Sequence, residues 1–220
     1  MTLEIKPIPL GFVNAYLIKA DTGFFLVDTG MANQRATVEK ALAAAGCRPG
    51  DLRLILVTHG DSDHIGNCAY LREKYGAKIA MHPNEAAQAA GGPMLVTRKP
   101  EQGLRTRLIM GVLARLFALR RPDRFKADLS LVGDDDLSAW GLQARALHIP
   151  GHSTGSIGIL TAAGDLFCGD LMSNSGQPKF HIVDDLAAAR ASLEKLRRLD
   201  VKTVYPGHGK PFALEAFVLS

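Results

Sequence analysis

The sequence predicts an α/β fold made of two halves, each combining strands with helices. Short apolar runs of strand length alternate with helix-like segments along the whole of the 220-residue chain. Polar clusters follow several of the predicted strands, as they do in open α/β layers. Apolar residues make up 47% of the sequence, which is ordinary for a protein that buries a core, and no low-complexity linker divides the chain. We therefore expect one domain over residues 1–220.

The first half opens with a predicted hairpin. The apolar runs AYLIKA (15–20) and GFFLVD (23–28) flank Asp21-Thr22-Gly23, a sequence typical of a tight turn. A helix closed by Gly46 is expected next, over 35–46. Three further elements complete this half: a buried strand in LRLILVTH (52–59), a helix in NCAYLREKYG (67–76) and a strand in AKIAMH (77–82).

The second half is rich in strands and contains one long helix. Its predicted strands are LQARALHIPG (142–151), SIGILTAAG (156–164), DLFCGD (165–170) and VKTVYPGHG (201–209). Before the last strand, the segment 184–200 places apolar residues on one face at helical spacing. These residues are Leu186, Ala189, Leu193, Leu196 and Leu199.

Histidines and aspartates cluster after the predicted strands. The densest cluster, THGDSDHIGN (58–67), contains His59, Asp61, Asp63 and His64. Three further clusters contain His152, Asp170 and His208, each preceded by glycine. A histidine on its own in a loop is usually a surface residue, but four clusters at the carboxyl ends of strands are hard to attribute to chance. Imidazole nitrogens and carboxylate oxygens are zinc ligands, so the pattern predicts a metal site.

This series resembles the signature of the metallo-β-lactamase superfamily, which is HxHxDH followed by a distant histidine, an aspartate and a final histidine. VDTG (27–30) is similar to the family's early turn, and PGHG (206–209) contains the last histidine. The similarity extends over nearly the whole chain. It implies a four-layered αββα sandwich with the metal site at one edge, between the two sheets.

The resemblance assigns each candidate ligand a place. One metal would be held by His59, Asp61 and His152. The second would be held by Asp63, His64 and His208, with Asp170 bridging both. Two divalent ions are therefore expected, with zinc first and manganese or iron as alternatives.

The activity that the resemblance implies is metal-dependent hydrolysis. A metal-bridging hydroxide would attack the carbonyl carbon of a thioester, lactone or other acyl substrate. Asp63 would orient the hydroxide or carry its proton, which makes it the candidate catalytic residue. His181 and Tyr205 are candidate substrate-binding residues, since His181 follows the bridging aspartate and Tyr205 directly precedes PGHG. For Tyr205, packing is the competing interpretation.

Asp61 departs from the family pattern, which usually has histidine at this position. On one interpretation Asp61 no longer binds metal and the first site is weak or empty. On the other, its carboxylate replaces the imidazole as a ligand. Two divalent ions would then be balanced by the aspartates and a hydroxide, and a neutral core of this kind should accept manganese or iron more readily.

Two other functions are compatible with the same ligand types. One is a phosphodiesterase or nuclease on the same fold, although ribonucleases of this fold resemble the chain less, since they carry an additional domain or arm. Di-iron redox proteins have an acidic residue at the position of Asp61 but also need a flavin domain. Relatives of the glyoxalase II type carry an extra helical domain for glutathione, whereas this chain ends twelve residues after His208, so a glutathione thioester is not expected.

A basic insert lies between the two halves. Residues 98–126 contain nine basic and two acidic residues, while the whole chain carries a net charge of +4. Within the insert, residues 104–122 form a predicted helix that is apolar around most of its circumference. Such a helix needs cover, which leaves a lid, a dimer contact or a lipid-facing surface open, and the resemblance favours a lid. Few aromatic residues interleave with the basic ones, so nucleic acid is not an expected partner.

We expect a homodimer that uses this insert. The residues to be buried, against the partner or over the metal pocket, are Leu108, Val112, Leu116 and Phe117. The arginines from Arg115 to Arg124 would favour an anionic small-molecule substrate.

The chain is expected to be cytoplasmic and not inserted in a membrane. No apolar run is long enough to span a bilayer, and MTLEIKPIPL (1–10) lacks the basic start and apolar run of a secretory signal. The three cysteines show no paired spacing, which favours reduced thiols over a disulfide framework.

Overall fold

The computed structural model describes residues 3–91 and 124–218, which form two β-sheets. The first sheet contains β1 (Glu4–Leu10), β2 (Val13–Ala20), β3 (Gly23–Val27), β4 (Leu52–Leu56), β5 (Lys78–Met81) and β6 (Leu129–Ser130). The second contains β7 (Asp135–Asp136), β8 (Ala144–His148), β9 (Ile157–Thr161), β10 (Asp165–Asn174), β11 (Pro178–Phe180), β12 (Thr203–Gly209) and β13 (Phe212–Ala213). The described helices are α1 (Arg35–Ala44), α2 (Ser62–Ile65), α3 (Cys68–Tyr75), α4 (Pro83–Gly91) and α5 (Leu186–Arg197).

The strand order places the ends of several strands side by side. In the first sheet the order is β1-β2-β3-β4-β5-β6, and the pairs from β3 to β6 are parallel. In the second the order is β13-β12-β10-β9-β8-β7, and β11 also pairs with β10. Because β10 and β12 are parallel, their carboxyl ends lie at the same edge of the second sheet.

The first sheet buries both of its faces. Phe25 and Val27 of β3 belong to the apolar cluster between the two sheets, whereas the alternate residues Phe24 and Leu26 pack on the other face. That outer cluster includes Val38 of α1 and residues of α3. Since successive side chains of a strand point to opposite faces, a strand buried on both sides reads as an unbroken apolar run, as GFFLV does.

The second sheet repeats this arrangement with α5. Phe167 of β10 packs in the cluster between the sheets, while its neighbour Leu166 packs on the opposite face. That opposite face is covered by Leu193 and Leu196 of α5. The layers are thus helix, sheet, sheet and helix, and the predicted αββα sandwich is confirmed.

The predicted strands and helices within the described residues are present, and several further elements had not been expected, among them β1 and α4. The strand β1 contains two prolines and charged residues, which strand patterns seldom tolerate. It lies at the edge of its sheet, where a missing backbone N–H costs no ladder hydrogen bond. The helix α4 begins with Pro83, at the position where the fixed φ of proline favours a helix start.

The predicted helix of the insert, over 104–122, lies outside the described residues, as do Leu108, Val112, Leu116 and Phe117. The homodimer and the role of the insert therefore stay predictions. At the end of the insert, Phe125 is buried in the outer cluster of the first sheet and Arg124 is exposed.

The described residues contain three cysteines and several helices, which bear on disulfides and on membrane insertion. Over 3–91 and 124–218, no helix combines the length and the apolar character needed to cross a bilayer. Cys47, Cys68 and Cys168 are free thiols, and all three are buried. The cytoplasmic location stays a prediction.

The burial of Phe25 between the sheets provides a test of the layered core. Its side chain is fully buried, so Phe25→Ala should leave a cavity between the sheets and lower the free energy of unfolding by about 3–5 kcal/mol. Urea denaturation followed by circular dichroism measures this loss. Val132→Ala, at a position 59% exposed, is the control and should change stability by less than about 0.5 kcal/mol. Equal losses in the two variants would contradict the layer assignment.

Candidate metal centre

The structure brings all seven predicted ligand residues together at one edge of the sandwich. They come from four segments: the loop after β4 with α2, the loop after β8, and the strands β10 and β12. Six are buried, and Asp63 is half-buried. Their assignment as ligands stays a prediction, but their proximity is a property of the fold.

The first triad consists of His59, Asp61 and His152. The Asp61 carboxylate Oδ2 lies 3.3 Å from Nε2 of His152 and 3.5 Å from Nε2 of His59. These ligand atoms are close enough together to share one metal ion. The carboxylate of Asp61 therefore points into the group, which favours the interpretation that it replaces a histidine as a ligand.

The second triad consists of Asp63, His64 and His208. The Asp63 Oδ2 lies 3.8 Å from Nε2 of His64 and 3.6 Å from Nε2 of His208. Both Asp63 and His64 are in the short helix α2, which begins directly after Asp61. The two triads share no residue, and His59 of the first and His64 of the second form a further group with Asp170.

Asp170 lies between the two triads. Its Oδ2 is 3.7 Å from Nε2 of His152 in the first triad and 3.1 Å from Nε2 of His208 in the second. Its Oδ1 is 3.4 Å from Nε2 of His64. One carboxylate therefore faces imidazoles of both groups, as the predicted bridging role requires.

A bulge in β10 aims Asp170 at the site. The sequence suggested that the strand ends at Asp170, but β10 continues to Asn174. Gly169 pairs with Pro206 of β12, and the next pair is Ser173 with His208, so four residues of β10 span two residues of β12. The extra residues form the bulge, and Gly169 enters it with a φ of +52° that favours glycine.

The segment around His208 is held closely from two sides. A Cβ atom on Gly207 would lie 2.3 Å from Oδ1 of Asp170, so only glycine fits there. From the first sheet, the Tyr16 hydroxyl donates to the Pro206 carbonyl (2.6 Å), and the Asn14 amide donates to the Gly209 carbonyl (2.8 Å). The PGHG motif is therefore fixed by contacts across the two sheets.

Three buried polar atoms of the site have no hydrogen-bond partner in the described protein. They are Nε2 of His59, Nε2 of His64 and Oδ1 of Asp170. Buried polar atoms are nearly always paired, because losing hydration without a partner costs free energy. Since these atoms converge in one place and are of the types that divalent metals bind, the residues fit a metal site.

The ring nitrogens that face away from the site are bound to acceptors. Nδ1 of His208 donates to the carbonyl of Phe12 (2.7 Å), and Nδ1 of His152 to the carbonyl of Ile182 (2.8 Å). Ile182 has a φ of +32°, which is unusual for a β-branched residue and turns this carbonyl to the imidazole. With the proton held on Nδ1, each Nε2 presents its lone pair to the site.

Asp28 supports two of the histidines. Nδ1 of His64 donates to its Oδ2 (2.8 Å), and Thr58 donates to it from both the backbone N–H (2.9 Å) and the hydroxyl (2.7 Å). The Thr58 hydroxyl oxygen lies 3.0 Å from Nδ1 of His59 and can accept its proton. Asp28 belongs to the VDTG turn that the sequence analysis singled out, whereas the link through Thr58 was not evident from the sequence.

The buried charges shift the protonation of the site. Burial lowers the pKa of His64, but the carboxylates of Asp170, Asp28 and Asp63 outweigh it and hold that pKa well above its usual range. Burial raises the pKa of Asp170, but His208 and His64 outweigh it and hold that pKa well below its usual range. In the absence of a cation these pKa shifts favour protons on the His64 imidazole and an ionised Asp170 carboxylate. A metal ion must displace those protons, which couples metal binding to proton release.

The two candidate substrate residues have different surroundings. Nε2 of His181 lies 3.6 Å from Oδ2 of Asp170, and the His181 ring stacks on His208 with centroids 4.5 Å apart. Tyr205 instead packs between the sheets against Phe167 and Tyr16, with ring centroids 5.0 Å and 5.5 Å away. These contacts favour the packing interpretation of Tyr205 over the substrate-binding one. Successive side chains of β12 point to opposite faces of the sheet, and that of residue 205 points to the core between the sheets.

The position of Asp170 leads to a prediction about metal content. Asp170→Ala removes the carboxylate that faces both triads, so both metal equivalents should be weakened by more than ~100-fold, beyond the usual effect of removing a supporting residue. Chelator competition and elemental analysis measure this loss. Asp165→Ala, five residues earlier in the same strand, is the matched control and should keep the metal content of the unaltered protein. A variant at 170 that loses one equivalent only would contradict the bridging role.

A second prediction concerns Asp28. Asp28→Asn keeps the shape but places an amide where His64 and Thr58 need an acceptor, so metal affinity should fall by ~10–100-fold. The control is Asp136→Asn, because Asp136 also accepts from a backbone N–H and a hydroxyl, but on the exposed surface. Isothermal titration of both metal-free variants with zinc compares them. Unchanged zinc affinity in Asp28→Asn would show that the histidines keep their orientation without it.

Comparison with known proteins agrees with the geometry. The sequence model of the metallo-beta-lactamase superfamily matches residues 8–208. The hydroxyacylglutathione hydrolase of Anaeromyxobacter dehalogenans is 29% identical over 208 residues, which cover 93% of this chain and 64% of that protein. An acyl-coenzyme A thioesterase of Gallus gallus is 27% identical over 224 residues, covering 92% and 74% of the two chains.

Solved structures show the same fold. A metallo-beta-lactamase family protein of Thermus thermophilus matches with a TM-score of 0.70 and 27% identity, over 96% of this chain and 74% of that one. The chain spans less than two thirds of the length of the hydroxyacylglutathione hydrolase. The match to the family model nevertheless includes every strand and loop that carries a candidate ligand. The chain belongs to the metallo-β-lactamase superfamily.

Proposed function

We propose that the protein is a dinuclear metal-dependent hydrolase that cleaves acyl substrates, with thioesters as the first class to test and lactones as the second. The observation that carries this proposal is the position of Asp170. Its carboxylate faces imidazoles of two separate triads, at distances of 3.1 to 3.7 Å. A single-metal site would need only one of these triads, so the arrangement favours two ions.

Two divalent ions in these triads would polarise a substrate carbonyl and lower the pKa of a water molecule. The protein's own contribution is to orient the ligands and to move a proton. Asp63 is half-buried, unlike the buried Asp170, so its carboxylate is the more accessible acceptor for the proton of an attacking water. This accessibility supports Asp63 as the catalytic residue.

His181 is suited to hold the substrate. Burial is the main cause that lowers its pKa, to about 4, so the imidazole is neutral near pH 7. A neutral imidazole can donate a hydrogen bond to an acyl oxygen without adding charge to the site. The His181 side chain is 23% exposed to solvent, so a ligand can contact it.

The relatives support an acyl substrate. One is named a hydroxyacylglutathione hydrolase and another an acyl-coenzyme A thioesterase, so both names give an acyl group joined to a thiol carrier. The sequence on its own did not favour a glutathione thioester, and the first of these names supports testing one, although this chain spans only 64% of that protein. A panel of substrates should therefore include both carriers.

Zinc is the proposed metal. Imidazole and carboxylate donors of these triads suit zinc, and the aspartate at position 61 makes the site more negative than a histidine would. That added charge also suits manganese or iron. Elemental analysis of the purified protein decides among them, and iron with a visible absorption band would instead support a redox function.

Hydrolysis of a substrate panel tests the proposal. With zinc restored, we expect release of thiol from an acyl-coenzyme A or acylglutathione thioester, measured with a chromogenic thiol reagent, and slower or no cleavage of a phosphodiester. Asp63→Asn should lower kcat by ~10²–10⁴-fold, because the amide cannot take up a proton. Asp200→Asn, on an exposed aspartate remote from the ligand segments, is the control and should leave kcat unchanged.

Two results would contradict this function. A zinc-loaded protein that cleaves a phosphodiester but neither thioesters nor lactones would favour the phosphodiesterase alternative. An Asp63→Asn variant with the kcat of the unaltered protein would remove Asp63 from the mechanism.

A further inference from the structure

Glu85 is a buried acidic residue that does not belong to either triad. It lies in the first turn of α4 and is 2% exposed. A carboxylate is seldom buried unless its oxygens are paired. The partners of Glu85 therefore indicate what it does.

Both partners of Glu85 are backbone N–H groups of loops that carry the first triad. Gly60, between His59 and Asp61, donates to Oε2 (2.8 Å). Gly155, three residues after His152, donates to Oε1 (2.9 Å). These loops are far apart in the sequence, so one carboxylate ties together two segments that the chain itself leaves separate.

The backbone alone joins the two loops only near their strands. In the described part of the chain, the N–H of Ile157 donates to the carbonyl of Thr58 (2.9 Å), at the foot of both loops. Asp61 and His152 lie further out, where no strand pairing fixes the backbone. The two hydrogen bonds that Glu85 accepts are charge-assisted, and they connect the loops at the level of Asp61 and His152.

The fit around Glu85 leaves little room for movement. A Cβ atom on Gly155 would lie 2.7 Å from Cγ and 2.7 Å from Oε1 of Glu85, so the loop needs glycine to approach the carboxylate. The first turn of α4 is itself fixed, since the N–H of Glu85 donates to the carbonyl of His82 (3.0 Å), directly after β5. The backbone of Glu85 is therefore fixed directly after a strand of the first sheet.

Only a carboxylate of this length meets both requirements. Two backbone donors need two acceptor oxygens, which glutamate has and glutamine has not. The amide NH₂ of a glutamine would face one of the two N–H groups, so one loop would lose its partner. Aspartate keeps both oxygens but is shorter by one methylene.

We propose that Glu85 is a positioning residue for the first triad, setting the separation of Asp61 and His152 by holding Gly60 and Gly155. This inference rests on the proposed two-metal site. It makes the first triad, but not the second, dependent on a residue of α4. Asp63 and His64 lie in α2 and His208 lies in β12, and neither of the two hydrogen bonds to Glu85 comes from these elements.

Titration of the metal-free protein with cobalt(II) alone tests this assignment. The unaltered protein should take up two equivalents. In Glu85→Gln one equivalent should weaken by ~10–100-fold, as expected for loss of a residue that orients ligands, while the other keeps its affinity. The visible band that is lost should match the band lost in Asp61→Asn and not the band lost in Asp63→Asn. A purely structural role would weaken both bands together.

The control is Glu194→Gln, the same substitution in an exposed ion pair with Arg197, which should leave both equivalents unchanged. Thermal melts of the metal-free variants check folding. Glu85→Asp supplies the second variant if Glu85→Gln does not fold, and should show the same selective loss. Unaltered protein that takes up fewer than two equivalents would overturn the two-metal proposal. Two equivalents in the unaltered protein with equal changes, or none, in the Glu85 variants would overturn this inference alone.

Discussion

Mutual repulsion among closely grouped carboxylates is the constraint on which the rest of this structure depends. Asp61, Asp63 and Asp170 share one set of imidazoles at the edge of the sandwich, where Asp61 and Asp170 are buried and Asp63 is half-buried. Like charges in such a region raise each other's energy unless positive charge is placed among them. Protonated histidines supply some of it, and a divalent cation supplies more. An imidazole can bind a cation through Nε2 when its proton is on Nδ1. This requirement explains the hydrogen-bond acceptors placed beside Nδ1 of the site histidines.

The two sheets give this charged cluster a rigid frame. The strands that carry it are buried on both faces, so a shift of one residue would turn their whole apolar set to the wrong side. The register of these strands is therefore strongly specified, and the positions of the ligand residues at their ends are fixed with it. Where a strand alone would point a side chain wrongly, the chain departs from regular pairing, as at the bulge before Ser173. Regular pairing thus fixes the core strands, and local departures from it orient the ligand side chains at the edge.

The sequence was a good guide to elements and ligand types, and a poor one to contacts between distant segments. The HGDSDH segment and the glycine-preceded His152, Asp170 and His208 carry strong local patterns, so the whole candidate set could be named in advance. For Tyr205 the sequence left both substrate binding and packing open, because adjacency to PGHG does not show which face of β12 the residue occupies. Glu85 had no signal at all, since its partners lie 25 and 70 residues away and are backbone groups. Strand β1, an edge strand that contains prolines, likewise could not be predicted from the alternation of apolar and polar residues.

The hydrogen bond between His208 and Phe12 has a consequence for how this protein can diverge. The acceptor is the backbone carbonyl of Phe12, which every amino acid supplies, whereas the phenyl ring is 55% exposed and stacks parallel to the imidazole of His208, with ring centroids 5.8 Å apart. Selection can therefore exchange the side chain at this position without removing the support of the histidine. At residue 12 the backbone carbonyl supports His208, while the side chain is exposed and can vary. A substitution at this exposed position can therefore change the surface beside His208 while the hydrogen bond to its imidazole is kept.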